Sequence, residues 1–368
     1  VMHLDSVESA GGRLGAVLSA PRSGLVRIGP GGPWLATTPE LVRQVLTTPS
    51  HFDFPGDVSR SGDLSGSTAD TRSGHTVFAP VTPAQVARGS EVFAREWAAA
   101  LDDHDRTHPR SPYDAMVLLR RPVARSTTAA VLPSIEPSRR DRIGDLVLAW
   151  IDALGPVISA RRPPGRWSRK RRTEEAARTA LEDALEAVPD RDQSAGELAA
   201  LLAAGIQVPI AAGAFLLAWL GSTGSGDVDP THAVWETLRL TPPTWITVRV
   251  ATQDVEVGGQ SVRAGAMVFV SPLLLGRRAD LVPGDDPSLF LPARWSVDGR
   301  RPGAWLPFGA GPHACPGRNL GMAQLVHLAQ WGTAHEIELS QRATIDQSRG
   351  IAPSPCRFTV APRREPSA

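Results

Sequence analysis

The stretch WLPFGAGPHACPGRNLGMAQL, residues 305–325, sets Cys315 in a turn rich in glycine and proline that leads straight into RNLGMAQLVHLAQW, a helix by its apolar spacing. A cysteine just ahead of a helix N-terminus lies near unsatisfied backbone N–H groups and the positive end of the helix dipole. Both favour a thiolate. Such a sulfur suits a nucleophile or a metal ligand; the plainer alternative is an inert, buried cysteine at a turn. Gly309, Gly311 and Gly317 carry no Cβ, so the backbone here can turn tightly and approach a flat object closely.

The pattern narrows the chemistry. No second Cys or His falls at a short zinc-ligand spacing from Cys315, and no local signature supports a cysteine-protease base and its orienting partner. A single axial thiolate is sufficient for haem iron. A second feature is ETLRL, where Glu236 and Arg239 stand three apart on one helix face and can form an ion pair. Taken alone, that is an ordinary surface pair.

PFGAGPHACPG resembles the haem-binding loop of the cytochromes P450, Phe-x-x-Gly-x-x-x-Cys-x-Gly, and Phe308, Gly311, Cys315 and Gly317 fill its four fixed places. Glu236 and Arg239 resemble the Glu-x-x-Arg of that family's K helix, and Arg294 in FLPARW stands where a third member joins the pair. Between them, TPPTWITVRVATQDVEVGGQSVRAGAMVFV is similar to the strand region after the K helix. Arg249 falls where an arginine meets a haem propionate, and His313 falls in a loop position that does the same. PWLATTPELVRQVL resembles the early strand and B helix of bacterial members, and SGHTVFAPV resembles their C-helix entry, with His75 at the histidine. The resemblance covers roughly residues 29–362. It implies haem b with Cys315 as axial ligand to the iron, and Phe308, Gly309, Gly317, His313, Arg249 and His75 around the cofactor.

The sequence also departs from that pattern. Many members carry an acid and a threonine on the central I helix that relay protons to the oxygen being activated. Here the matching stretch is AGIQVP: Ala204 and Gly205 fit, but Gln207 replaces the acid and Val208 the threonine. An amide beside a valine cannot cycle protons, although Gln207 can still hydrogen-bond a ligand or order water. Pro209 lacks an N–H and is expected to open or kink the helix there. Ala79, followed by Pro80, stands where the C-helix pattern has an arginine after His75, so one propionate partner is absent.

These residues need a scaffold to position them. The 368 residues, 42% of them hydrophobic, are enough for a large core. Strands and a first helix are expected within 25–60, a helical body from 82 to 220, a K helix at 230–240, strands at 245–270, and the haem loop with its helix at 305–331. The I helix is placed at 198–220, an uncharged 23-residue run that also meets the length rule for a membrane span; burial on all sides of a large core is the preferred reading. The Ser/Gly/Asp-rich segment 55–74 reads as a surface loop, and the arginine-rich segment 161–172 as a solvated linker or a docking patch for an acidic partner. The tail APRREPSA is expected to fray. The fold expected is mainly α: a single P450 domain over 1–368, a helical body with small β-sheets, and haem between the I helix and the Cys-loop helix.

Composition bounds the partners. With 39 basic and 38 acidic side chains no overall field draws nucleic acid or an anionic membrane, and two cysteines, Cys315 and Cys356, are too few for a disulfide framework. The scarcity of cysteine fits a reducing, cytoplasmic compartment, no secretory signal is read at the start, and a monomer is expected. The function expected from the resemblance is P450 oxidation (hydroxylation, epoxidation or oxidative coupling) of a small apolar natural product, with a ferredoxin and its reductase as electron source. With Gln207 and Val208 in place, a polar group of the substrate is expected to deliver the proton. The alternatives are use of peroxide, a redox-neutral rearrangement or dehydration, and a catalytically silent relative that helps a partner enzyme. The last class commonly loses the haem cysteine, which this chain keeps.

Overall fold

The structure is a computed structural model that describes residues 4–54, 78–160, 162, 164–165, 167–189, 191, 193–223, 228–282, 286–296, 305–348 and 350–363. His75, the expected loop at 55–74 and part of the basic segment at 161–172 lie outside the described residues.

The first elements are α1 (Gly12–Leu18), β1 (Leu25–Arg27), β2 (Trp34–Ala36), α2 (Pro39–Thr47) and β3 (Phe52–Asp53). Then come α3 (Pro83–Thr107), β4 (Tyr113–Asp114), α4 (Ala115–Leu118), α5 (Arg120–Val131), α6 (Pro137–Ile158), α7 (Arg169–Glu186) and α8 (Ala195–Thr223). After α9 (Pro230–Leu240) follow β5 (Thr247–Ala251), β6 (Val255–Val257), β7 (Gln260–Val262), β8 (Met267–Val270) and α10 (Pro272–Gly276). The chain closes with α11 (Arg318–Thr333), β9 (His335–Leu339), β10 (Thr344–Asp346), β11 (Ala352–Ser354) and β12 (Arg357–Pro362). This is the mainly helical fold with small sheets that the resemblance implies.

The internal contacts group the chain into two compact units, each described by itself. One comprises residues 1–4, 80–234 and 317–368 and holds α3 to α8 and α11. Its long helix α8 is apolar on every side, with a mean hydropathy of 2.0 over a span long enough to cross a membrane, yet 61% of that window is buried inside the protein. It packs against α5, α6, α7, α11, β9 and β11 of the same unit. A helix of this composition needs such a coat of neighbours, because it has no polar face to offer water. Thr82 starts α3 with a capping box to Gln85, and Pro83 fills the first turn, where its missing N–H costs nothing.

Two local expectations are corrected in this unit. Residues 169–172 are not linker: Ser168 caps the first turn of α7, and Arg171 is buried beside Glu174. Arginine is a good helix former, so a basic run after a serine cap propagates as helix. The start of the tail is also ordered, for Ala361 and Pro362 of β12 pair with Glu336 and His335 of β9.

The other unit comprises residues 5–79 and 235–316. Its sheet has the order β1-β2-β8-β5-β3, with β2 and β8 parallel and the other pairs antiparallel. Leu25, Val42, Val45, Leu46, Phe52, Val268 and Val270 form its core with α2. The Gly-Gly turn read from sequence joins β6 to β7, and Gly258 and Gly259 take φ of 55° and 73°, the left-handed values that a two-residue hairpin turn requires.

Candidate active site

In the sheet-bearing unit, Cys315 closes a loop that is fixed by its own backbone. Its N–H donates to the Phe308 carbonyl at 2.9 Å, the Gly309 N–H donates to the Leu306 carbonyl at 3.1 Å, and the Ala314 N–H donates to the Gly311 carbonyl at 3.0 Å. The thiol is exposed and forms no disulfide. It stands two residues ahead of Gly317, the N-cap of α11, which has no side-chain cap. Gly309 and Gly311 take φ of 67° and 74°. What comes close to Gly311 is protein: a Cβ there would lie 2.4 Å from the Leu46 carbonyl oxygen at the end of α2, whereas Gly309 and Gly317 face open space. One glycine thus seats the loop on α2, and a Cβ at either of the other two would meet nothing within 4 Å.

Behind the loop the structure brings Glu236, Arg239 and Arg294 together with their side chains all but sealed from solvent. Arg239 donates to both Glu236 oxygens, Nη2 to Oε1 at 2.7 Å and Nε to Oε2 at 2.8 Å, and Arg294 Nε donates to Oε1 at 2.9 Å. The Leu291 N–H and Trp295 Nε1 also donate to Glu236, and Arg239 reaches the carbonyls of Gly276 and Pro287. One carboxylate facing two guanidinium groups leaves positive charge over, and the carbonyls absorb it. Trp295 packs on Trp235 and Trp305, and Trp305 meets Phe308 edge-on at 5.9 Å, so the triad and the cysteine loop share one aromatic wall. Trp295 adjoins Arg294 in FLPARW and was legible there.

Arg249 and His313 both contact Phe54, a residue that carries no sequence motif. The Arg249 guanidinium is 3.8 Å from the Phe54 ring centre, and the His313 ring meets it edge-on at 4.9 Å. Arg249 is only 3% exposed, and its Nη1 donates to Thr247 Oγ1 and the Val248 carbonyl. Among the described residues no carboxylate stands at ion-pair distance from it. Burial pushes its pKa down to about 10, against a weak pull from Asp53. A buried guanidinium without an anion is costly, so the site is suited to receive one.

The helical unit carries the second set of residues. On α8, Ala204 is exposed, Val208 is 36% exposed, and Gly205, Gln207 and Pro209 are half-buried. Among the described residues Gln207 makes no side-chain hydrogen bond. Pro209, expected to open or kink the helix, does not end it: α8 runs from Ala195 to Thr223. Thr127 of α5, which the sequence reading missed, donates to the Gly205 carbonyl at 3.2 Å. The other cysteine, Cys356, is buried with its Sγ 3.5 Å from the Ala214 carbonyl, and burial, helped by Asp114, pushes its thiol pKa up, which makes it inert.

The donor set fits a haem. One exposed thiolate-favouring sulfur, open space at Gly309 and Gly317, and a buried guanidinium lacking an anion match an iron ligand, a flat macrocycle and a propionate.

Comparisons with known proteins agree. The family model for Cytochrome P450 matches residues 231–330. Cyclooctat-9-en-7-ol 5-monooxygenase of Streptomyces melanosporofaciens is 27% identical over 373 residues, covering 81% of this chain and 78% of that protein. Further curated cytochromes P450 match over only 17% to 22% of their own length. Among solved structures, a cytochrome P450 designated CYP102L1 superposes with a TM-score of 0.70 at 18% identity, over 93% of this chain and 95% of that one. CYP175A1 from Thermus thermophilus gives 0.69 at 20% identity, over 90% and 89%.

Proposed function

The chain belongs to the cytochrome P450 family and is an enzyme of its oxidoreductase class, and from that premise we propose that it oxidises a small, largely apolar natural product with haem b ligated by Cys315. The observation that carries the reading is the exposed Cys315 thiol on a backbone-fixed glycine loop. When bound, the haem supplies oxygen activation, with electron density from the thiolate favouring O–O cleavage.

The chain's own residues then have separate tasks. Arg249 and His313, which both contact Phe54, would hold the propionates, and Glu236, Arg239 and Arg294 hold the segment that precedes the loop. Val208 offers an apolar surface to the substrate. Gln207 orients a polar group or a water but cannot cycle a proton, because an amide is neither acid nor base in this range. The proton therefore comes from a hydroxyl of the substrate. The Streptomyces relative acts, by its name, on a hydrocarbon alcohol, which is the kind of molecule such a site would take. Oxidation in secondary metabolism fits that likeness. A single cytoplasmic, monomeric domain fed by a ferredoxin and its reductase completes the proposal.

Peroxide use or a redox-neutral rearrangement is the second reading, favoured by the same Gln207 and Val208. The deciding first experiment is the spectrum of the reduced carbon monoxide adduct. A Soret band at the long-wavelength thiolate position supports Cys315 ligation; absence of haem, or a band of the neutral-ligand type, overturns it and favours the helper reading. Turnover with peroxide compared with a reductase pair then separates the two oxidative routes.

A further inference from the structure

Pro209 has no amide hydrogen, so the Gly205 carbonyl, four residues earlier, lacks the donor that a helix would give it. The donor comes from another helix. Thr127 Oγ1 of α5 donates to that carbonyl at 3.2 Å, and itself accepts from Gln324 Nε2 of α11 at 3.4 Å. The same amide nitrogen donates to Ser126 Oγ at 2.8 Å, and Ser126 Oγ donates to the Gly89 carbonyl of α3 at 2.7 Å. Ser126, Thr127 and Gln324 are all buried.

The direction of these bonds decides what the chain of groups can do. It starts at an amide nitrogen and ends on two backbone carbonyls, so it has no acid or base at either end to give or take a proton, and it acts as a clamp. Close packing supports it: a Cβ on Gly205 would stand 3.2 Å from Thr127 Cγ2, and one on Gly89 2.6 Å from Leu320 Cδ1. The amide is needed at position 324. Its nitrogen gives both hydroxyls a donor and so turns their own protons toward the carbonyls, whereas a carboxylate would attract those protons away.

We propose that Thr127, oriented by Gln324, is the positioning residue for the turn of α8 that presents Ala204, Gly205, Gln207 and Val208, replacing the hydrogen bond that Pro209 deletes. Gln324 lies on the helix that opens just after Cys315, so the clamp ties this turn to that helix. Its functional meaning rests on the oxidation reading above; its geometry does not.

The test compares Thr127→Val, which removes the hydroxyl at similar volume, with Thr127→Ser, which keeps it, and with Gln324→Glu. Hydrogen exchange of the purified protein is read over residues 206–213, together with the C–O stretch of the reduced carbon monoxide adduct. Thr127→Val is expected to speed exchange there about fivefold, the effect of one hydrogen bond, and to shift the C–O stretch. Thr127→Ser restores both, and Gln324→Glu reproduces the valine effect. Unchanged exchange in Thr127→Val overturns the clamp, as does acceleration spread equally over α3, α6 and β9. Should Thr127→Val fail to fold, Gln324→Glu with unchanged exchange overturns it equally. A wild type without the long-wavelength band defeats the oxidation reading alone, since exchange still decides the clamp.

Discussion

The guanidinium of Arg249 lies 3.8 Å over the ring of Phe54, buried and without a carboxylate at ion-pair distance among the described residues. A desolvated cation–π contact contributes about 2 kcal/mol, less than full compensation for a charge taken out of water. The arrangement favours an anion beside Arg249.

Arg249→Leu is therefore expected to move two properties in opposite directions. The haem-free protein melts at the same temperature or higher, because an uncompensated charge is gone, while haem is lost faster to an apomyoglobin trap. Equal haem retention in the variant would remove Arg249 from the propionate assignment.

Gly311→Ala combines a left-handed φ with a Cβ 2.4 Å from the Leu46 carbonyl oxygen. A cost of about 1 to 3 kcal/mol is expected, together with displacement of the loop that presents Cys315. Gly309→Ala has the same handedness problem but open space around it, so it should cost less. Thermal melts of the two variants, side by side, check the ranking.

Glu236→Ala leaves Arg239 and Arg294 buried without their shared anion. Breaking a buried pair in this way costs about 3 to 5 kcal/mol, and the carbonyls of Gly276 and Pro287 offset only part of it. Denaturant titration should show the loss, with soluble expression falling alongside; a loss below about 1 kcal/mol would mean that the cluster is as dispensable as a surface pair.

Glu8 and the buried Arg277 form an ion pair. Burial raises the Glu8 pKa, but Arg277, with Ser6, more than reverses that and holds the carboxyl below its ordinary value. The folded state thus binds the proton less readily than the unfolded chain. Stability from this pair is present above the carboxylate's ordinary pKa of 4.5 and is lost as pH falls through the lower folded value. Wild type and Glu8→Gln should melt apart at pH 7 and converge as pH falls well below 4.5; a gap that persists into strong acid would show that the charge is not what stabilises the contact.

Val208→Thr places a hydroxyl on the exposed face of α8 beside Gln207. It is expected to raise unproductive oxygen consumption or to change the product, read by an oxygen electrode and chromatography. If neither changes, position 208 has no part in proton delivery.

The sequence by itself was sufficient for features written at fixed offsets: the Cys315 loop, the Glu236–Arg239 spacing with Arg294 downstream, and the apolar period of the long helices. Local sterics and helical repeat decide these, and both can be read within a window of a few residues. The tertiary structure alone decided what meets across distance. It put Arg249 and His313 in contact with Phe54, the Leu46 carbonyl against Gly311, and the Thr127 hydroxyl on the carbonyl that Pro209 leaves open. No local pattern encodes these pairs, because each depends on how separate elements pack.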